Sequence, residues 1–333
     1  MQDYVKLTTE SCIHNGFTFV DGLNIDPIPF TPFGTCKPGG FYFTTLTNIG
    51  YWLKYNGKTM YYIWRVTIPN DAQVYHEGTK SKANKIILSN KKSLSDYFSE
   101  NIQIALVCLP CDHLIMKFIK NQTIDFCQKA VGRNGLALKY VLHQTPDICL
   151  IAVKNMGTVL EYVKEQTPDI CMAAVQQNGY ALPFVKNQTH DLCLAAIASA
   201  AGALQYVKHQ THDLCMLAVQ RNGYTLRHVK EQTPELCMAA VKEEPDSLQY
   251  VLEQTHDICL MALNKNGRCL RYVNKQNPEL CLTAIKQDGT ALEFVIQQTP
   301  ELCLTAISQN VHALIYVNKQ TPDEEPPALI CDS

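Results

Sequence analysis

The sequence contains no apolar run approaching the roughly 18 residues that a membrane-spanning helix needs, and no signal-type apolar segment follows Met1-Gln2-Asp3-Tyr4. Excess charge is also missing. Lys and Arg number 29 against 31 Asp and Glu, a formal net charge of −2, which offers a polyanionic partner little field to follow. A second Cys-x-x-Cys is absent: Cys108-Leu109-Pro110-Cys111 stands alone, so a four-thiolate zinc site would have to borrow Cys12 and Cys36. These absences lead us to expect a soluble chain with no metal and no cofactor. Cysteine itself is plentiful, at 15 residues, but most copies sit at one recurring position beside Ala and Leu. That placement suits thiols used as small apolar groups in a reducing, intracellular compartment.

What is present falls into two grammars. Residues 1–100 hold 17 of the 29 aromatics, including Trp52 and Trp64, together with turns such as Pro38-Gly39-Gly40 and Pro69-Asn70-Asp71. Between the turns lie β-favouring runs, Gly40–Thr44 and Met60–Val66. A small α+β domain is predicted there.

From about residue 101 a repeat takes over. Cys127, Cys149, Cys171, Cys193, Cys215, Cys237, Cys259, Cys281 and Cys303 are each 22 residues apart. With the Thr of Thr167-Pro168-Asp169-Ile170-Cys171 as position 1, position 3 is always acidic, 8 always Ala, 16 always Leu, 19 always Val and 22 always Gln. A weaker unit at 101–122 has Ala105 in the Cys slot and Phe118 in the Tyr slot. Thr followed by Pro and an acid reads as a helix start, and apolar positions 4, 5, 8 and 9 form one helical face. Asn-Gly, as in Asn178-Gly179, reads as a left-handed stop, and Ala-Leu-x-Tyr-Val as a second helix of about eight residues. Helices this short need neighbours to form a core. The predicted fold is therefore an α-solenoid of about ten 22-residue helical hairpins over 101–322, preceded by the α+β domain and followed by an acidic, Pro-rich, disordered tail at 323–333. Ala200-Ala201, Glu244-Pro245 and Asn310-Val311 in place of Asn-Gly, and Pro183 inside a second helix, predict local changes of loop geometry or curvature.

Two motif groups resemble a family of giant-virus (Mimivirus-type) repeat proteins of unknown function. One is the Thr-Pro-[Asp/Glu]-x-Cys-x-x-Ala-[Val/Ile] repeat. The other is an N-terminal region containing His14-Asn15-Gly16-Phe17, Asp21-Gly22-Leu23-Asn24, Gly34–Thr44, Val66–Ala72 and Lys82–Leu88. The resemblance implies a viral protein acting in the cytoplasm of an infected cell, with the virion as a second location. It implies no activity.

Several constellations invite chemistry. Equivalent cysteines in stacked hairpins lie roughly 8–10 Å apart, too far to share zinc or form disulfides, so we expect buried structural thiols. His190, His212 and His256 at position 2 read as solvated polar residues. The unvarying Gln–Thr junction, broken only at Asn277, reads as capping between units. Variable positions 10, 11, 14, 17, 20 and 21 should face solvent and read a protein partner. The candidate partner-binding residues are Lys164, Lys186, Lys208 and Lys230 at position 20, Arg227 and Arg271 at 17, and Tyr180 and Tyr224 at 14. The leading reading is a non-enzymatic protein–protein interaction scaffold whose partner and oligomeric state the sequence leaves open. A second is an ADP-ribosyltransferase-like N-terminal domain targeted by the solenoid. His14 and Tyr42 resemble the His and Tyr that hold nicotinamide in such domains; Glu77 is the nearest acid, and no Glu-x-Glu pair occurs. A third is weak nucleic-acid binding along the lysine stripe, against which stand 19 basic and 19 acidic residues over 101–322.

Overall fold

Residues 3–32, 38–55 and 57–318 are described by a computed structural model, in which strands end at Ser93 and helices follow from Leu94. Contacts divide the chain into two units, Met1–Lys186 and Asn187–Ser333. The predicted tail, Cys36 and the rest of 33–37 lie outside the described residues.

Among the described residues, the first unit opens with eleven strands. β1 (Tyr4–Thr8), β4 (Gly22–Ile25), β5 (Phe41–Thr45), β8 (Tyr62–Thr67), β9 (Val74–Glu77), β10 (Lys80–Ala83) and β11 (Lys85–Ser93) form one antiparallel sheet, ordered β4-β11-β8-β1-β5-β10-β9. Two short hairpins accompany it, β2 (Ile13–His14) with β3 (Phe17–Thr18) and β6 (Lys54–Tyr55) with β7 (Lys58–Thr59). Asn15 and Gly16 join the first of these with φ of 51° and 80°, the pair of positive values that a two-residue type I′ turn demands. Phe19, Phe41, Phe43, Trp64, Val66 and Ile86 build the core, and Trp64 Nε1 donates to Thr8 Oγ1 at 3.0 Å, so the indole enters it without an unmade hydrogen bond.

The sheet is split on one side of β1. Pairing with β5 ends at Val5↔Thr44, whereas pairing with β8 continues to Thr8↔Tyr62. From Lys6 onward a cleft opens between β1 and β5.

Helix α1 (Leu94–Glu100) is capped by the Ser93 side chain and buries Leu94 and Phe98. Next, α2 (Ile102–Cys108) and a short 3-10 helix, His113–Phe118, form the degenerate first repeat. Each later repeat is a ten-residue α-helix, from Ile124–Arg133 to Pro300–Gln309, followed by a six-residue 3-10 helix, from Gly135–Tyr140 to Val311–Tyr316. The chain is thus a strand-rich domain followed by a helical solenoid. The second helix differs from the expected eight-residue α-helix for a geometric reason. Six residues at about 2.0 Å rise cover the same ~12 Å as eight at 1.5 Å, which leaves residues free for the extended corner.

Packing follows the repeat register. Ile170, Cys171, Ala174, Val175, Ala181, Leu182 and Val185 of one unit are all buried. Position 15, small in most units, belongs to this core and was not singled out from sequence.

The Asn-Gly expectation needs correction. Asn178 is extended (φ −154°, ψ 113°), and its side chain caps the second helix by accepting from Tyr180 N–H at 3.0 Å. No repeat glycine among the described residues has positive φ. The glycine is there for close approach: a Cβ on Gly267 would lie 2.3 Å from Ala284 O in the next unit. Because the junction asks for ordinary φ, replacing Asn-Gly leaves its path intact. Ala200 (φ −148°, ψ 111°), Glu244 (−130°, 100°) and Asn310 (−149°, 113°) stay extended, and Pro183 sits in a 3-10 helix with ordinary ends. The expected geometric changes are therefore absent at these caps. What Ala200 and Glu244 lose is the side-chain cap.

Candidate functional site

The corner between units is built by glutamine. Gln232 Nε2 donates to Leu226 O at 3.4 Å in its own unit and to Tyr250 O at 2.9 Å in the next. Its Oε1 accepts from Leu252 N–H at 3.0 Å and from the Cys237 thiol at 3.5 Å. Gln144 does the same with Leu138, Tyr162, Lys164 and Cys149. Thr at position 1 caps the following helix in every full repeat that has it except at Thr211, whose hydroxyl turns to Asp213; Thr233 accepts from Leu236 N–H at 3.3 Å, and Asn277 supplies the same bond to Leu280 N–H at 2.9 Å. The cysteine is thus a thiol donor to the corner as well as a small core group. Burial raises the thiol pKa at Cys127, Cys149, Cys237 and Cys259, which keeps the donor proton in place. The signal was legible: Gln stands five residues before every repeat Cys.

The candidate partner-binding residues are placed as follows. Lys164 Nζ donates to Leu142 O at 3.1 Å, Lys186 Nζ to Lys164 O at 3.0 Å and Lys230 Nζ to Lys208 O at 3.0 Å, each reaching the same position one unit earlier. Lys208 is exposed at the equivalent place. Arg227 Nε donates to His228 Nε2 at 3.0 Å. Arg271 stacks 4.6 Å from the Tyr272 ring and lies 3.7 Å from Asp246 Oδ2. Tyr180 is exposed, whereas Tyr224 is half-buried, its ring edge-on to Tyr250 at 6.4 Å. Half-burial is the rule at position 14, shared by Thr158, Arg268 and Thr290, so the expectation of a solvent-facing position 14 fits Tyr180 alone among these. Position 11 is exposed but engaged in several repeats with the glycine one unit earlier: Asn155 Oδ1 accepts from Gly135 N–H at 2.9 Å and Gln287 Oε1 from Gly267 N–H at 2.6 Å. The position-2 histidines are likewise engaged, with His190 2.9 Å from Asp213, His212 3.4 Å from Glu235 and His256 3.2 Å from Glu279, each acid one unit on.

Sequence reasoning missed the apolar members of the same edge. Position 20 exposes Leu142, Leu252 and Ile296 at 57, 74 and 72%. Beside it lie corner grooves in the second unit, one of about 700 Å³ reaching from Asn277 and Glu279 to Ile296 and Glu301, another of about 330 Å³ around His212, Lys230 and Glu231.

The split in the sheet forms a second candidate site. A cavity of about 50 Å³ is lined by Lys6, His14, Tyr42, Trp52, Tyr55 and Lys80 among apolar neighbours. Another, of about 260 Å³, shares Lys6, His14 and Tyr42. Lys6 is buried; its Nζ donates to Tyr42 O at 2.8 Å and lies 4.3 Å from the Phe19 ring centroid. Burial lowers its pKa to about 7. His14 is lowered to about 4 by burial and then by the charges of Lys6 and Lys58. The structure thus brings His14 and Tyr42 together. Glu77 stands on edge strand β9, 3.6 Å from Lys80 Nζ. Cys12 packs in the aromatic core while Cys108 donates to Leu46 O at 3.4 Å. Among the described residues, no group of three or more His, Cys, Asp or Glu has an arrangement that could hold a metal, and no helix is long and apolar enough to cross a membrane.

Fold and corner chemistry define a helical-repeat protein. Its segments 145–188 and 255–299 are similar to an uncharacterised repeat family, matching the model described as a domain of unknown function (DUF4116), each match spanning two 22-residue units. No solved structure matches the chain.

Proposed function

We propose that this protein is a non-enzymatic protein–protein interaction scaffold. The observation that carries the reading is a division of labour along the repeat. Before the last repeat, Cys, Ala, Leu and Val at positions 5, 8, 16 and 19 are buried and Gln at 22 is bonded between units, while positions 10, 17, 20 and 21 stay exposed, bordering grooves whose rims change from unit to unit. Leu142, Leu252 and Ile296 supply apolar contact, and Arg227, Arg271 and Tyr180 supply polar and aromatic contact of the kind that dominates interfaces. The four position-20 lysines are weaker anchors, since Lys164, Lys186 and Lys230 already bridge neighbouring units. The motif resemblance supports a giant-virus protein acting in the infected cell.

Affinity purification from the producing cell tests this. A variant with Arg227, Leu252, Arg271 and Ile296 all changed to Ser should fold and lose the partner. Undiminished recovery of the same partner would sink the reading.

The ADP-ribosyltransferase-like alternative gains support from His14 and Tyr42 lining one cleft. Its acid is poorly placed, with Glu77 committed to Lys80. Thermal protection of the strand-rich domain by NAD would favour it. Nucleic-acid binding would show itself as a steep salt dependence of retention.

A further inference from the structure

We propose that the cleft around Lys6 and His14 binds a small planar carboxylate, an organic anion carrying an aromatic or similarly flat body. This inference is independent of the scaffold reading.

A buried cation needs a counter-charge or several acceptors. Lys6 lies 3% exposed, and among the described residues no carboxylate pairs with it. Tyr42 O takes one of its three ammonium protons. On the same cleft, His14 Nε2 is buried and has no hydrogen-bond partner. The charged groups around the two are Lys58 on β7 and the ion pair of Lys80 on β10 with Glu77 on β9. Asp26 lines the neighbouring cavity, but its two oxygens accept from Ile28 N–H at 2.9 Å and Gly40 N–H at 2.6 Å. The remaining protons of Lys6 and the unpartnered His14 Nε2 therefore share a cleft whose nearest carboxylates, Glu77 and Asp26, are engaged with Lys80 and with backbone N–H groups.

The rest of the lining selects the body of the ligand. The cavity of about 50 Å³ takes the carboxylate end, beside Tyr42, Trp52 and Tyr55, and the flat body lies in the adjoining cavity of about 260 Å³, against Phe17, Phe41 and Tyr42. Val5 and Met60 make the remainder of the smaller cavity apolar. A carboxylate is satisfied by two or three donors. A phosphate dianion asks for more, usually a guanidinium or a nest of backbone N–H groups, and among the described residues neither arginine nor such a nest lines this cavity. The two cavities share Lys6, His14 and Tyr42, so one ligand can reach into both.

The test uses the full chain and four probes: benzoate, indole-3-acetate, the neutral isostere benzamide, and inorganic phosphate. Calorimetric titration and thermal unfolding are the readouts. One or both carboxylates should bind, raise the melting temperature, and bind more tightly as pH falls through about 7, because the lowered amine takes up a proton to meet the anion. Lys6→Met should weaken binding at least roughly tenfold, the loss of one charge-assisted hydrogen bond, while keeping or improving fold stability. His14→Phe should weaken it without unfolding the domain and serves in its place if Lys6→Met does not fold. The proposal is overturned if neither carboxylate binds at millimolar concentration, if benzamide or phosphate binds as well as the carboxylates, or if the variants bind like the parent.

Discussion

At the scale of single residues, glutamine at position 22 carries the most. Its amide is long enough to span two units and has donors and acceptors in one plane, which is what Leu226 O, Tyr250 O and Leu252 N–H require together. Gln232→Ala should cost roughly 2–3 kcal/mol in urea unfolding, since it leaves several backbone groups at the corner unpaired. Gln232→Glu keeps the acceptor and should recover part of that loss. If the Ala variant unfolds like the parent, the corner bonds are not stabilising. His14 makes a different demand on its surroundings. Its folded pKa, about 4, lies below the ordinary 6.5, so between those values the unfolded chain binds more protons than the folded one. His14 should therefore make the stability of the strand-rich domain rise with pH from about 4 to 6.5, and Lys6, lowered from 10.5 to about 7, should add a second rise between those two values. His14→Phe should flatten the first rise, as read from melting curves across the window.

At the scale of elements, the register of both helices was legible because periodicity reports which face is buried, and position 8 Ala with position 16 Leu locates the contact between layers. The 3-10 form was not legible, because hydrophobic spacing over six residues fits either helix type. Nor was the role of Asn-Gly, which serves as a left-handed stop in other contexts and here splits its work between a cap (Asn178) and a close approach (Gly267). The cleft was partly legible: His14 and Tyr42 stood out, while Lys6 gave no local signal, since only the β1–β5 split decides what surrounds it. Two outcomes belong at this scale. Peptide-resolved thiol labelling of the native protein near neutral pH should spare Cys127 through Cys281 of the repeat column, held protonated and buried, and modify Cys111 and Cys303 first. Rapid modification of the column would mean that the units open readily. Changing Lys164, Lys186, Lys208 and Lys230 together to Gln should leave the helical circular-dichroism signal intact, since the bridges are solvent-exposed and weak. Position 20 also accepts Leu252 and Ile296, so a large loss of signal would make the bridges structural.

At the scale of the whole chain, units that touch only neighbours should open from an uncovered face. In the last described unit Val311, Leu314 and Ile315 are 67, 60 and 76% exposed, although the equivalent leucines Leu270 and Leu292 are fully buried. Hydrogen exchange should be faster across 299–317 than across 127–170, where α2 and the strand-rich domain precede the first full repeat. The reverse order would show that α2 leaves its end of the array uncovered.

The bonds by which glutamine and lysine reach a full repeat along the corner join residues 18, 20 or 22 apart in the chain, as in Gln232 to Tyr250, Gln232 to Leu252 and Lys230 to Lys208. None depends on where in the array it occurs. Recombination that drops or duplicates a whole unit puts every donor back in front of an acceptor, whereas a slip of one residue puts all of them out of phase. The span of this molecule is therefore a quantity that heredity can change in whole steps, like links in a chain, without inventing a new contact.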